Sequence, residues 1–115
     1  MHEASLAGGV LQLVDDCAQR EGFARVLELR LEVGQLAGVD VAALRFALDC
    51  IAPGTRLDGA RIELIETPGQ AWCLGCNSRV PIAQRGDPCP ACSSYLLEPT
   101  GGMELRVLDL QVSDD

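Results

Sequence analysis

The sequence predicts an α+β fold: two helices packed on a small, mainly antiparallel three-stranded sheet, with a four-cysteine module inserted between the second and third strands. Three observations carry this expectation. Apolar residues recur at three- and four-residue steps in two segments, they recur at two-residue steps in three others, and a segment of neither period holds two CxxC pairs. With 115 residues and 48% apolar content, the chain has material for one modest core.

Residues 5–21 set Leu6, Val10, Leu13, Val14 and Cys17 on one helical face, with Gln12, Asp15, Asp16 and Gln19 opposite and Gly22 as the stop. From Val26 the period becomes two. Leu27, Leu29, Leu31 and Val33 alternate with Glu28, Arg30 and Glu32, so one face of a first strand must be covered. Beyond the loop GQLAG, Asp40 is placed to cap a second helix. Its Val41, Leu44, Ala47, Leu48 and Ile51 share a face, and Pro53 and Gly54 end it. RIELIE at 61–66 reads as a second strand and MELRVLDLQV at 103–112 as a third, in which the apolar phase shifts between Val107 and Leu108 and calls for a bulge. Residues 1–68 with 100–115 are therefore expected to form the α+β domain. Residues 69–99, bounded by TPG and EPTGG, form a module too small to hold itself by apolar burial.

Charge narrows the function classes. The formal net charge is −8 and the pI is near 4.5, which opposes association with phosphate backbones or anionic lipid. Within the module Arg79 and Arg85 balance Asp87 and Glu98, and only Trp72 and Tyr95 offer stacking faces, so no nucleic-acid stripe is present. No run approaches the roughly 18 apolar residues of a membrane span, and the start lacks a basic region followed by an apolar core. A cytoplasmic, reducing setting is expected. With one histidine, no activated serine motif and no glycine-rich phosphate loop, the chain shows no constellation for nucleophilic or phosphoryl chemistry, so it is expected not to be an enzyme.

Four of the six cysteines, Cys73, Cys76, Cys89 and Cys92, form CLGC and CPAC pairs separated by twelve residues. Each CxxC turn brings two thiolates to one side of a tight loop, and two facing turns supply a tetrahedral site. With all four positions filled by cysteine, none is left for a reacting water, so a structural zinc is expected. Iron would accept the same ligands, but a rubredoxin-like module would come with a larger aromatic core than 3% allows. A thioredoxin-like dithiol would need one CxxC where a strand enters a helix. Cys17, on the apolar face of the first helix, reads as an inert core residue, and Cys50, off the stripe beside Phe46, also reads as structural.

The only histidine is His2. A disordered tail is the ordinary explanation. The alternative is chelation. The Met1 α-amine and the His2 backbone nitrogen close a five-membered ring on a divalent metal, that nitrogen and the imidazole Nδ1 close a six-membered one, and Glu3 adds its carboxylate or amide. Such nitrogen and oxygen donors suit Ni(II) or Cu(II), and the helix expected just beyond would hold them near an ordered element.

MHE followed by SLA, then LRLEVGQLAGVDVAALRFAL, the paired CxxC motifs and a closing ELRVLDLQV resemble the HypA/HybF family of hydrogenase nickel-incorporation proteins, essentially from end to end. The resemblance implies a metallochaperone of the α+β domain that binds Ni(II) through the Met1 amine, His2 and the start of Glu3. It would pass the metal to the large subunit of a [NiFe]-hydrogenase, and in some organisms family members also serve urease. It further implies zinc on Cys73, Cys76, Cys89 and Cys92 and a maturation GTPase as partner, while apolar residues on the exposed side of the sheet leave monomer and homodimer both open. Two positions depart from the pattern. Ala4 stands where a larger apolar residue is common, and Ser93 where glycine commonly follows the last cysteine, which strains the turn if its backbone is left-handed.

Overall fold

The computed structural model describes residues 2–115, and Met1 lies outside the described residues. In chain order the elements are α1 (Glu3–Glu21), β1 (Arg25–Gly34), α2 (Val41–Ile51), β2 (Arg61–Thr67), β3 (Gln70–Cys73), β4 (Ser78–Pro81), β5 (Leu97–Gly101) and β6 (Leu105–Ser113). Both helices end or begin as the sequence dictates. Gly22 closes α1 at φ 81 with its N–H on the Ala18 carbonyl, and the Asp40 side chain accepts from the Ala43 amide, 3.1 Å, at the start of α2.

Three strands form a sheet of order β2-β1-β6, and three form a second of order β4-β3-β5. In the first, Arg61 lies 3.5 Å from Glu28, Arg30 lies 4.0 Å from Glu63, and Thr67 donates to Glu32. Residue numbers rise together on the two strands, so β1 and β2 are parallel, and α2 is the crossover that parallel neighbours require. Across from β1, Ala24 N–H bonds the Ser113 carbonyl and Gly34 N–H the Glu104 carbonyl, so β6 runs the other way. Both ladders of the second sheet are antiparallel as well. Antiparallel pairing thus predominates, in an α+β fold of two helices and small sheets.

The chain divides into two compact units: one from the amino end to Leu31 with Asp40–Leu64 and Val107–Asp115, the other Glu32–Val39 with Ile65–Arg106. The first is cored by Ala7, Val10, Val14 and Ala18 of α1, which packs against α2, by Val26, Leu29 and Leu31 of β1, and by Leu44 and Leu48 of α2. Two expected core positions lie elsewhere. Leu13 is 57% exposed and Leu27 46%, because Ala7 and Ala18 complete the buried face of α1 and the inward phase of β1 changes between Val26 and Leu29. Cys17 is half-buried at a cleft lined by Leu13, Arg20, Val107 and Leu110, not sealed in the core. The inward phase of β6 switches between Val107 and Leu110, where the sequence called for a bulge.

The second unit has its own apolar cluster, with Leu36, Ala71, Val80 and Ile82 around Cys73 and Cys89. Its β3, β4 and β5 occupy a stretch in which the sequence shows no sustained period. Leu36 belongs to it although it lies far outside 69–99. Three glycines make its backbone junction possible: a Cβ on Gly34 would sit 2.3 Å from the Gly102 carbonyl oxygen, one on Gly102 2.4 Å from that of Pro68, and one on Gly69 2.4 Å from that of Ile82. No helix among the described residues is long and apolar enough to cross a membrane.

Candidate metal centre and the amino terminus

Cys73 ends β3, Cys76 lies in the turn before β4, and Cys89 and Cys92 lie in the loop between β4 and β5. Their four sulfur atoms all lie within 4.8 Å of one another. The knuckles face each other: Cys73 Sγ is 3.5 Å from Cys92 Sγ, and Cys76 Sγ is 3.9 Å from Cys89 Sγ. A tetrahedral metal with metal–sulfur bonds of about 2.3 Å separates its ligands by about 3.8 Å, whereas a disulfide requires about 2.05 Å. The four are free thiols at spacings that fit a metal.

Local geometry makes the knuckles. Asn77 follows the first at φ 52 and Ser93 the second at φ 65, the left-handed conformation in which the sequence places serine at a cost. Ser93 N–H bonds the Cys89 carbonyl and Cys89 N–H the Ser94 carbonyl, at 2.8 and 2.7 Å, closing the second turn. Gly75 lets the turns meet, since a Cβ there would lie 2.8 Å from Ser94 Cβ and 3.4 Å from Cys92 Sγ.

Charge within the cluster argues in the same direction. Burial raises the Cys89 thiol, but hydrogen bonds from the Cys92 and Ala91 amides and from neighbouring thiols lower it further, to about 7. At Cys92 a hydrogen bond from the Ser94 amide favours the thiolate, yet the nearby Cys73, burial, and Cys76 and Cys89 together push its thiol up to about 12. Sulfur anions this close cannot all ionise without a cation among them.

At the other candidate site, the structure places α1 immediately at Glu3, two residues earlier than its apolar period suggests. His2 is the N-cap residue, exposed, with its carbonyl accepting from the Leu6 amide and its side chain making no cap bond. Glu3 is 7% exposed, and its carboxylate accepts from the Asp40 amide at 3.1 Å. Hydrogen bonds to the carboxylate, the Asp40 amide's among them, hold it down to about 2 against the opposing effect of burial. Asp40, legible in the sequence only as a cap, is thus the residue that ties the beginning of α2 to the third residue of the chain. The sequence gives no sign of a pairing across 37 positions. Met1, the remaining residue expected to bind nickel, lies outside the described residues.

The fold and the clustered sulfurs define a small α+β protein with a metal-type cysteine centre. The chain belongs to the family described as "Hydrogenase/urease nickel incorporation, metallochaperone, hypA", whose sequence model matches residues 1–112. It is 64% identical over 115 residues to the hydrogenase maturation factor HypA of Polaromonas naphthalenivorans (strain CJ2), covering 100% of both chains. With the factor of the same name from Cupriavidus necator the identity is 62% over 114 residues, 99% of this chain and 96% of that one. In fold it is similar to the solution structure of the Ni metallochaperone HypA from Helicobacter pylori, with TM-score 0.71, 20% identity and 100% of both chains covered.

Proposed function

We propose that this chain is a nickel metallochaperone, not an enzyme, that takes up Ni(II) at its amino terminus and delivers it during maturation of a [NiFe]-hydrogenase, with urease as a further recipient. The Met1 α-amine, the His2 amide nitrogen and imidazole Nδ1, and the Glu3 amide or carboxylate are the nickel donors. The cargo is held by few protein ligands at the edge of the fold, which suits a metal that must be given up again. Cys73, Cys76, Cys89 and Cys92 hold structural zinc, which closes the 69–99 module around the sulfurs and leaves no open coordination position. The working setting is the cytoplasm. The partners are a maturation GTPase and the hydrogenase large subunit, met by a monomer or homodimer.

The observation that carries this reading is the fixing of Glu3. A buried carboxylate bonded to the Asp40 amide anchors the first turn of α1, so donors at residues 2 and 3 stand beside an ordered element. Nickel titration calorimetry on zinc-loaded protein, beside the same protein with one glycine added before Met1, tests it. The native form is expected to bind one nickel and the extended form not, because the added residue displaces the α-amine. Because the imidazole binds only when neutral, affinity is also expected to fall as pH drops through the ordinary imidazole range. A second reading, a zinc-ribbon interaction module without nickel transfer, draws on the exposure of Trp72, Leu74, Tyr95 and Leu96 beside the knuckles. It requires that neither form bind nickel.

A further inference from the structure

The four sulfurs are unequally protected. Cys73 and Cys89 are buried, whereas Cys76 and Cys92 are exposed. A thiolate ligand that faces water is the one a competing chelator or electrophile reaches first. Cys76 has a neighbour besides sulfur: its Sγ lies 3.0 Å from Ser78 Oγ. The sheet builds this contact. Ser78 opens β4 and stands opposite Cys73 in the β3–β4 ladder. Register partners project on the same face, so the hydroxyl is carried to the side on which Cys73 presents its sulfur. Asn77, at φ 52, turns the chain between Cys76 and Ser78 and brings residue 78 back over the Cys76 sulfur. A thiolate bound to a metal has no proton to give, so with metal on the sulfur the Ser78 hydroxyl would donate and Cys76 Sγ accept across this 3.0 Å contact. On the opposite knuckle the Ala91 amide does the same for the buried Cys89, at 3.4 Å. At Cys76, by contrast, the donor is a side chain, which substitution can remove.

We infer that Ser78 is a positioning residue of the cysteine centre, whose hydroxyl draws charge from the exposed Cys76 thiolate and slows its release of the metal. This rests on the reading that the four cysteines hold a divalent metal, and it adds a residue that is not a ligand to the determinants of how long the metal stays. Threonine keeps the hydroxyl and suits a strand, and valine has the shape of threonine without the donor.

The experiment uses the full chain as wild type, Ser78→Ala, Ser78→Val and Ser78→Thr. Each is loaded with Zn(II) to time transfer to an excess of chromophoric chelator, and with Co(II) to record the sulfur-to-metal absorption band. Loss of an outer-shell hydrogen bond is expected to speed zinc transfer about tenfold in the alanine and valine variants and to move their cobalt band to lower energy. Ser78→Thr is expected to match wild type in both. If valine and threonine at 78 release zinc at the same rate with the same cobalt band, the inference is overturned, whatever alanine does to folding. If the wild type binds neither metal through its cysteines, the underlying reading fails instead, and the two failures are distinguished by the wild-type spectrum alone.

Discussion

Gly34→Ala and Gly8→Ala are the same chemical change and should have opposite effects. At Gly34 the new Cβ meets backbone on every side: the Gly102 oxygen at 2.3 Å, its carbonyl carbon at 2.4 Å and the Met103 nitrogen at 2.8 Å. Ordinary contact requires about 1 Å more, and overpacking on this scale costs about 1–3 kcal/mol. The oxygen that must retreat also accepts from the Leu36 amide at 2.7 Å, a bond whose loss adds about 1 kcal/mol. The expected destabilisation is about 2–4 kcal/mol, a large part of the roughly 5–15 kcal/mol typical of a folded domain. At Gly8 a Cβ meets nothing within 4 Å, and the position lies inside α1. There alanine removes the backbone-entropy cost of a helical glycine and is expected to stabilise by about 0.5–1 kcal/mol. Urea unfolding of the zinc-loaded proteins, followed by circular dichroism, measures both. A Gly34→Ala protein within about 0.5 kcal/mol of wild type would refute the reasoning, because that is the tolerance of an uncrowded surface site.

Three further outcomes are expected. Ser93→Gly relieves a left-handed backbone at φ 65 and should stabilise the second knuckle by about 1 kcal/mol, read as a higher chelator concentration needed for half-unfolding; a lower one would show that the serine side chain matters more than its φ. The Arg106 hydrogen bond at 2.8 Å, the largest cause, holds the Glu32 carboxyl below the ordinary carboxylate range, with the Arg106 charge and Thr67 assisting against burial. A lowered folded-state pKa contributes stability above the unfolded value that is lost as pH falls through the folded one. Glu32→Gln should therefore be less stable than wild type at neutral pH and converge with it in acid, and a pH-independent difference would contradict this. Cys73→Ala should abolish zinc binding and unfold the 69–99 module while the two helices still melt cooperatively. Loss of helical signal in the same transition would show that the chain is one folding unit.

How much of this was legible follows from the size of each signal. The two helices were, because leucine and valine at helical spacing, an Asp40 cap and a Gly22 stop all agree. The buried face of α1 departs from the hydropathy pattern at Leu13, since Ala7 and Ala18 do its packing and alanine contributes little to such a pattern. The strands β3, β4 and β5 were not legible. They are four or five residues long, two of them contain proline, and their pairing is set by where the cysteine turns put them. The parallel pairing of β1 with β2 is not legible, because strand direction is decided by the α2 crossover and not by alternation within a strand. At the metal centre the spacing of four cysteines announced the ligands, while Ser78 and the bond from Asp40 to Glu3 depend on backbone turns and long-range register that no local pattern encodes.

The adjacent Gly8 and Gly9 of α1, where nothing sterically demands a glycine, carry a kinetic consequence. Each weakens the helix locally by about 1 kcal/mol relative to alanine, so even with Glu3 tied to the Asp40 amide the turns around them open more often than those that follow. Amides from Leu6 to Val10 should therefore exchange with solvent deuterium faster than those from Val14 to Ala18, although both stretches bury side chains on the same face. A cargo held at residues 2 and 3 would then sit on the part of the helix that unwinds first, and departure of the metal would be coupled to local opening of α1 while the core stays folded.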